Sequence, residues 1–176
     1  NLLRQSIELT ARLPLIVANA YAVNRHYLAN KSLYIHNPKS SLSVAENFLR
    51  MVRKDKSYTP EEAALLDLML IIHAEHGGGN NSTFVCRAMS STGTDTYSAI
   101  SAAIGSLKGP LHGGANAKVM SQFADIKANV RYPDDENELR EYLTKLLNKQ
   151  AGDHSGKIYG LGHAVYTISD PRAELI

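Results

Sequence analysis

The stretch Thr59-Pro60-Glu61-Glu62-Ala63-Ala64-Leu65-Leu66-Asp67-Leu68-Met69-Leu70-Ile71-Ile72-His73 decides the fold class. Thr59 is a capping residue type, Pro60 suits the first helical position, and Glu62 completes a capping box. Apolar side chains then run to Ile72 with Asp67 as the sole interruption. A helix apolar nearly all round is expected to be central and buried. It delivers His73 and His76 at its C-terminal end, where Gly77 to Gly79 stop it.

Helical periodicity continues on both sides of this segment. Upstream, Leu2 to His26 reads as a helix with a kink or break at Pro14. Asn30 to Ser43 reads as a loop, and Val44 to Arg53 as a short amphipathic helix. Downstream, helices are expected over Ser82 to Met89, Asp95 to Leu107, Ala115 to Val130 and Asp134 to Gln150. The last of these groups Leu139, Leu143, Leu146 and Leu147 on one side, and Asp134-Asp135-Glu136 reads as its solvated start. The alanine-, serine- and glycine-rich segment Asp95 to Leu107 suits a buried helix or a subunit contact. Ala151 to Gly162 is a glycine-bearing loop, and Asp170-Pro171 starts a further helix. No segment alternates convincingly between apolar and polar residues, so the expectation is an all-α chain with almost no sheet.

Composition narrows the class. The 176 residues are 44% hydrophobic and 20% charged, as in an ordinary globular protein, and suffice for a substantial core. A net charge of +2 argues for neither a nucleic-acid partner nor a membrane surface. The longest apolar run is too short to span a bilayer, and the N-terminus lacks a signal-peptide pattern. One cysteine, Cys86, cannot form an internal disulfide and reads as a small core residue. A cytoplasmic location is expected. The chain opens on Asn1 inside a helical pattern, which suggests a piece cut from something longer.

Four of the seven histidines sit beside a helix end or a glycine turn. His73 and His76 precede Gly77-Gly78-Gly79-Asn80; His112 lies in Gly109-Pro110-Leu111-His112-Gly113-Gly114-Ala115-Asn116; His163 follows Gly160-Leu161-Gly162. Glycines permit backbone shapes and close ligand approach that side chains would block. A histidine held there can donate a hydrogen bond into a cleft, although a lone helix-end histidine is more often a cap. A zincin would need histidines at i and i+4 with a glutamate after the first, and that pattern is absent, so no metal is expected. Gly160-Leu161-Gly162 lacks the third glycine and the preceding strand of a dinucleotide fingerprint.

Taken together, His73 to Phe84, Gly109 to Asn116, and Gly160-x-Gly162-His163-Ala164-Val165 followed by Asp170-Pro171-Arg172 resemble the citrate synthase family in order and wording. The resemblance runs from about Ser43 to the C-terminus. It implies an all-helical fold: residues 1–112 from a large domain, residues 113–176 from a small one, and a cleft that closes over substrate. By the same resemblance, His76 and Arg172 bind oxaloacetate, and His163 donates to its ketone oxygen. His112, as a neutral imidazole, polarises the thioester carbonyl of acetyl-CoA. Asn80 supports substrate binding, Ser82 steadies His112, and Lys157, Ile158, Gly160, Leu161 and Gly162 lie along coenzyme A. The implied reaction is a Claisen-type condensation to citrate, with coenzyme A entering as a thioester substrate and no separate cofactor. The intact protein would be a homodimer.

Departures from the family pattern shape three further expectations. The family's base is an aspartate well downstream of Asp-Pro-Arg, and two more substrate arginines lie beyond it, one from the partner subunit. The 176 residues alone are therefore expected to turn over no substrate. An arginine that contacts coenzyme A phosphate in some members is Thr167 here. The same motifs fit 2-methylcitrate synthase, which uses propionyl-CoA. A different class, a non-catalytic helical packing or dimerisation module, also fits the composition.

Overall fold

The computed structural model describes residues 1–74, 77–161 and 168–176, and they are helical without a strand among them. In chain order the helices are α1 (Leu2–Ala29), α2 (Val44–Val52), α3 (Pro60–Ile72), α4 (Asn81–Ser91), α5 (Thr96–Lys108), α6 (Ala115–Asn129), α7 (Glu136–Leu147) and α8 (Pro171–Leu175). They fall into two compact units. One holds residues 1–80, 90–98 and 176, and the other residues 81–89 and 99–175.

In the first unit, α2 packs against both α1 and α3. Ala18 and Ala22 of α1 and Ala45 and Met51 of α2 are buried. α1 runs through Pro14 without ending. The proline forgoes a bond to the carbonyl of Thr10, but Thr10 is exposed, so water can take that acceptor. Asn30 then closes the helix in the left-handed conformation, which asparagine tolerates.

The capping box at α3 forms as read. Thr59 Oγ1 accepts from Glu62 N at 3.2 Å, and Glu62 Oε2 accepts from Thr59 N at 2.9 Å. Glu62 also takes both arms of Arg53, at 2.7 and 2.8 Å, which joins the end of α2 to the start of α3. The expectation of a fully buried α3 is corrected: only Ala63 and Ile72 are buried, while Leu65 is 50% and Ile71 64% exposed. The unit gives α3 one principal partner, α2, and one partner covers one face.

In the second unit, Val130, Tyr142 and Leu146 form a core, flanked by Ile126, Leu143 and Ala151. The expected leucine face of α7 needs one correction. Leu147 is 54% exposed, and Tyr142 takes the inward place, because residue 147 is turned about 100° from Leu146. Burial, then the hydrogen bond to Asp125, pushes the Tyr142 hydroxyl up to about 12. Cys86 is half-buried on α4 rather than central.

Candidate active site

The second unit carries a turn between α5 and α6 that fixes His112. The His112 and Gly113 amides both donate to the Gly109 carbonyl, at 3.0 and 2.9 Å. The glycines that follow are required by space. A Cβ on Gly113 would overlap the Leu107 carbonyl oxygen, and one on Gly114 the Pro110 carbonyl oxygen. The backbone thus folds back on itself before α6 starts, and His112 is held half-buried at the bend.

The ring of His112 meets the first turn of α4. Its Nε2 lies 3.0 Å from Ser82 Oγ and accepts from the Ser82 backbone N–H at 3.3 Å. A backbone N–H can only donate, so Nε2 carries the lone pair and the proton of the neutral ring sits on Nδ1. This leaves Nδ1–H as the ring's donor. The α4 start is itself fastened to α5, since Asn81 Nδ2 donates to Ser106 Oγ at 2.7 Å. The resemblance implied that Ser82 steadies His112, and the hydroxyl lies within reach; that the Ser82 backbone N–H also donates to the ring was not visible in the sequence.

The glycine-bearing loop 151–161 lies against α6. Gln122 Nε2 donates to the Lys157 carbonyl at 3.0 Å, and Gln122 Oε1 accepts from the Tyr159 N–H at 2.9 Å. The Tyr159 hydroxyl donates to Asp153 at 2.7 Å, and Lys118 reaches the same carboxylate oxygen at 3.0 Å while standing 5.5 Å over the Tyr159 ring. The Ser155 hydroxyl, then Tyr159 and Lys118, hold the Asp153 carboxyl well below the usual carboxylate range. Gly160 sits at φ +88°, where side chains are strained, with its would-be Cβ 3.2 Å from Val119. Ile158, Gly160 and Leu161 border a mainly apolar cleft of about 480 Å³ with Val119, Phe123 and Leu143. Lys157 is exposed.

Arg172 forms a two-armed pair with Asp170: Nε to Oδ1 at 3.0 Å and Nη2 to Oδ2 at 2.5 Å. Asp170 also caps α8, accepting from the Arg172 backbone N–H at 2.9 Å. A carboxylate ligand for Arg172 would share this fork with Asp170 or displace it. Asn80 is half-buried just ahead of α4 and belongs to the other unit. His76, Gly162 and His163, and the Thr167 position, lie outside the described residues. Gln122 and Lys118 escaped the sequence reading, because neither sits in a motif that spacing alone marks; Asp153 and Tyr159 lie in the glycine-bearing loop it marked but were given no role.

The family described as "Citrate synthase, C-terminal domain" matches residues 1–176. The chain belongs to the citrate synthase family. It is 41% identical over 172 residues to a citrate synthase of Deinococcus radiodurans, covering 97% of this chain and 40% of that protein. It is 39% identical over 168 residues to a 2-methylcitrate synthase of Corynebacterium glutamicum, covering 93% of this chain and 39% of that one. The crystal structure of citrate synthase from Thermotoga maritima matches with a TM-score of 0.65 at 33% identity, covering 92% of this chain and 39% of that chain. The chain spans about 40% of the length of the curated relatives it matches. The expected all-α citrate synthase fold is thus borne out. None of the helices among the described residues is long and apolar enough to cross a membrane.

Proposed function

We propose that the protein containing this chain condenses acetyl-CoA with oxaloacetate, giving citrate and free coenzyme A. It would be an acyltransferase that converts the acyl group to an alkyl group on transfer. The observation that carries this reading is the His112 ring, whose Nε2 faces the Ser82 N–H at 3.3 Å. Enolising a thioester requires a donor at the carbonyl oxygen where negative charge develops, and a neutral Nδ1–H supplies one. The methyl proton goes to a carboxylate base, for which no residue of these 176 is put forward. The enol carbon attacks the ketone of oxaloacetate, whose oxygen gains a proton facing His163. Water then cleaves the thioester, and the thiol of coenzyme A leaves with a proton.

In this reading His76, Arg172 and Asn80 hold oxaloacetate. Arg172 suits the task because its planar fork matches a carboxylate. Ser82 supports His112. Lys157, Ile158, Gly160, Leu161 and Gly162 meet the nucleotide end of coenzyme A through backbone groups, and no separate cofactor takes part. Residues 1–112 would belong to a large domain and 113–176 to a small one, in a cytoplasmic homodimer with neither nucleic acid nor membrane as partner. Closure between the domains would exclude water and limit wasteful hydrolysis.

The 39% identity to a 2-methylcitrate synthase supports a second reading in which propionyl-CoA is the thioester. Initial rates of thiol release by the full-length protein, with oxaloacetate and either thioester, separate the two. Higher kcat/KM with acetyl-CoA and a citrate product are expected. Preference for propionyl-CoA transfers the assignment to 2-methylcitrate, and no thiol release with either removes both.

A further inference from the structure

We propose that Gln122 is a positioning residue for the acyl-CoA loop, with Lys118, Asp153 and Tyr159 bracing the same loop alongside it. This rests on the reading of residues 157–162 as the coenzyme A contact. The Gln122 carboxamide does for this loop what a neighbouring strand does in a sheet: it gives a hydrogen bond to the Lys157 carbonyl and takes one from the Tyr159 N–H, on either side of Ile158. A loop that recognises its ligand through backbone groups depends on where those groups point. If it were free to move, binding would have to order it and affinity would fall. The second anchor, Asp153, receives both Lys118 and Tyr159 and so fixes the start of the same segment.

Helix α6 carries both functions. Its cap, Gly114, follows His112 by two residues, and Gln122 lies eight residues beyond that cap, about 12 Å along the axis at the helical rise. One rigid helix therefore sets the spacing between the group facing the thioester and the loop facing the nucleotide. All of these residues lie in the second unit.

The test is steady-state kinetics on the full-length protein with Gln122→Met, which keeps the side-chain length and removes both hydrogen bonds. The KM for acetyl-CoA is expected to rise about tenfold, as two lost hydrogen bonds imply, with kcat and the KM for oxaloacetate within about twofold of wild type. Hydrogen exchange at the Tyr159 amide should quicken. A purely structural role would instead lower the melting temperature and kcat together. Lys118→Met should raise the same KM by a smaller factor, and it decides the matter should Gln122→Met not fold. An unchanged acetyl-CoA KM in an active Gln122→Met enzyme overturns this inference alone. A wild-type protein that releases no thiol overturns it together with the proposed reaction.

Discussion

At His112 one hydrogen bond decides which ring nitrogen can work. The Ser82 amide has no lone pair to offer, so Nε2 is committed as an acceptor and Nδ1 keeps the proton. The Ser82 hydroxyl at 3.0 Å adds to the hold but is not its basis. Ser82→Ala should therefore cost only the hydroxyl's share, lowering kcat about threefold to tenfold, because the backbone donor remains. Nitrogen-15 NMR of the variant's histidines should still report a neutral ring protonated at Nδ1. A variant as impaired as one lacking the imidazole would mean that the hydroxyl, and not the helix start, orients the ring. The flanking glycines were legible because glycine next to histidine is an informative pair. The reason they are needed, carbonyl oxygens of Leu107 and Pro110 where a Cβ would stand, exists only in the folded turn.

At the scale of the element, local chemistry proved the most readable part of the sequence. Thr59, Pro60 and Glu62 lie within four residues, and their hydrogen bonds join near neighbours, so the capping box could be read from spacing alone. Thr59→Ala is expected to cost about 1 kcal/mol, measured by denaturant unfolding. The bridge from Glu62 to Arg53 spans nine residues and two helices and left no such mark. It has a consequence in acid. The Arg53 guanidinium, followed by the Thr59 amide, lowers the Glu62 carboxyl from its ordinary 4.5 to about 2. A carboxyl lowered on folding binds fewer protons folded than unfolded. Its contribution is thus present above about pH 4.5 and lost as pH falls toward 2. Glu62→Gln should remove this part of the acid dependence of the melting temperature, and an unchanged pH profile would show that the bridge adds nothing. The full burial expected of α3 is not met within these 176 residues, which span about 40% of the length of the relatives they match. Hydrophobicity records what a helix is suited to touch, while burial depends on which partners stand beside it.

Across the whole molecule, helical class and family were legible because motif order survives in a linear chain. The three motif segments together identified the family, which the match over residues 1–176 bears out. Less of the candidate site could be read. Contacts such as Gln122 to residues 157 and 159 join positions 35 or more apart, and a single glutamine on an amphipathic helix looks like any solvated side chain. The central claim is that the His112 imidazole donates to the thioester carbonyl during condensation. The most direct measurement is kcat for thiol release from acetyl-CoA and oxaloacetate by the full-length protein and its His112→Ala variant, with folding checked by circular dichroism. A loss of about 100-fold or more in kcat, with the KM for oxaloacetate little changed, is the expected result. A folded His112→Ala enzyme that turns over at the wild-type rate would contradict it.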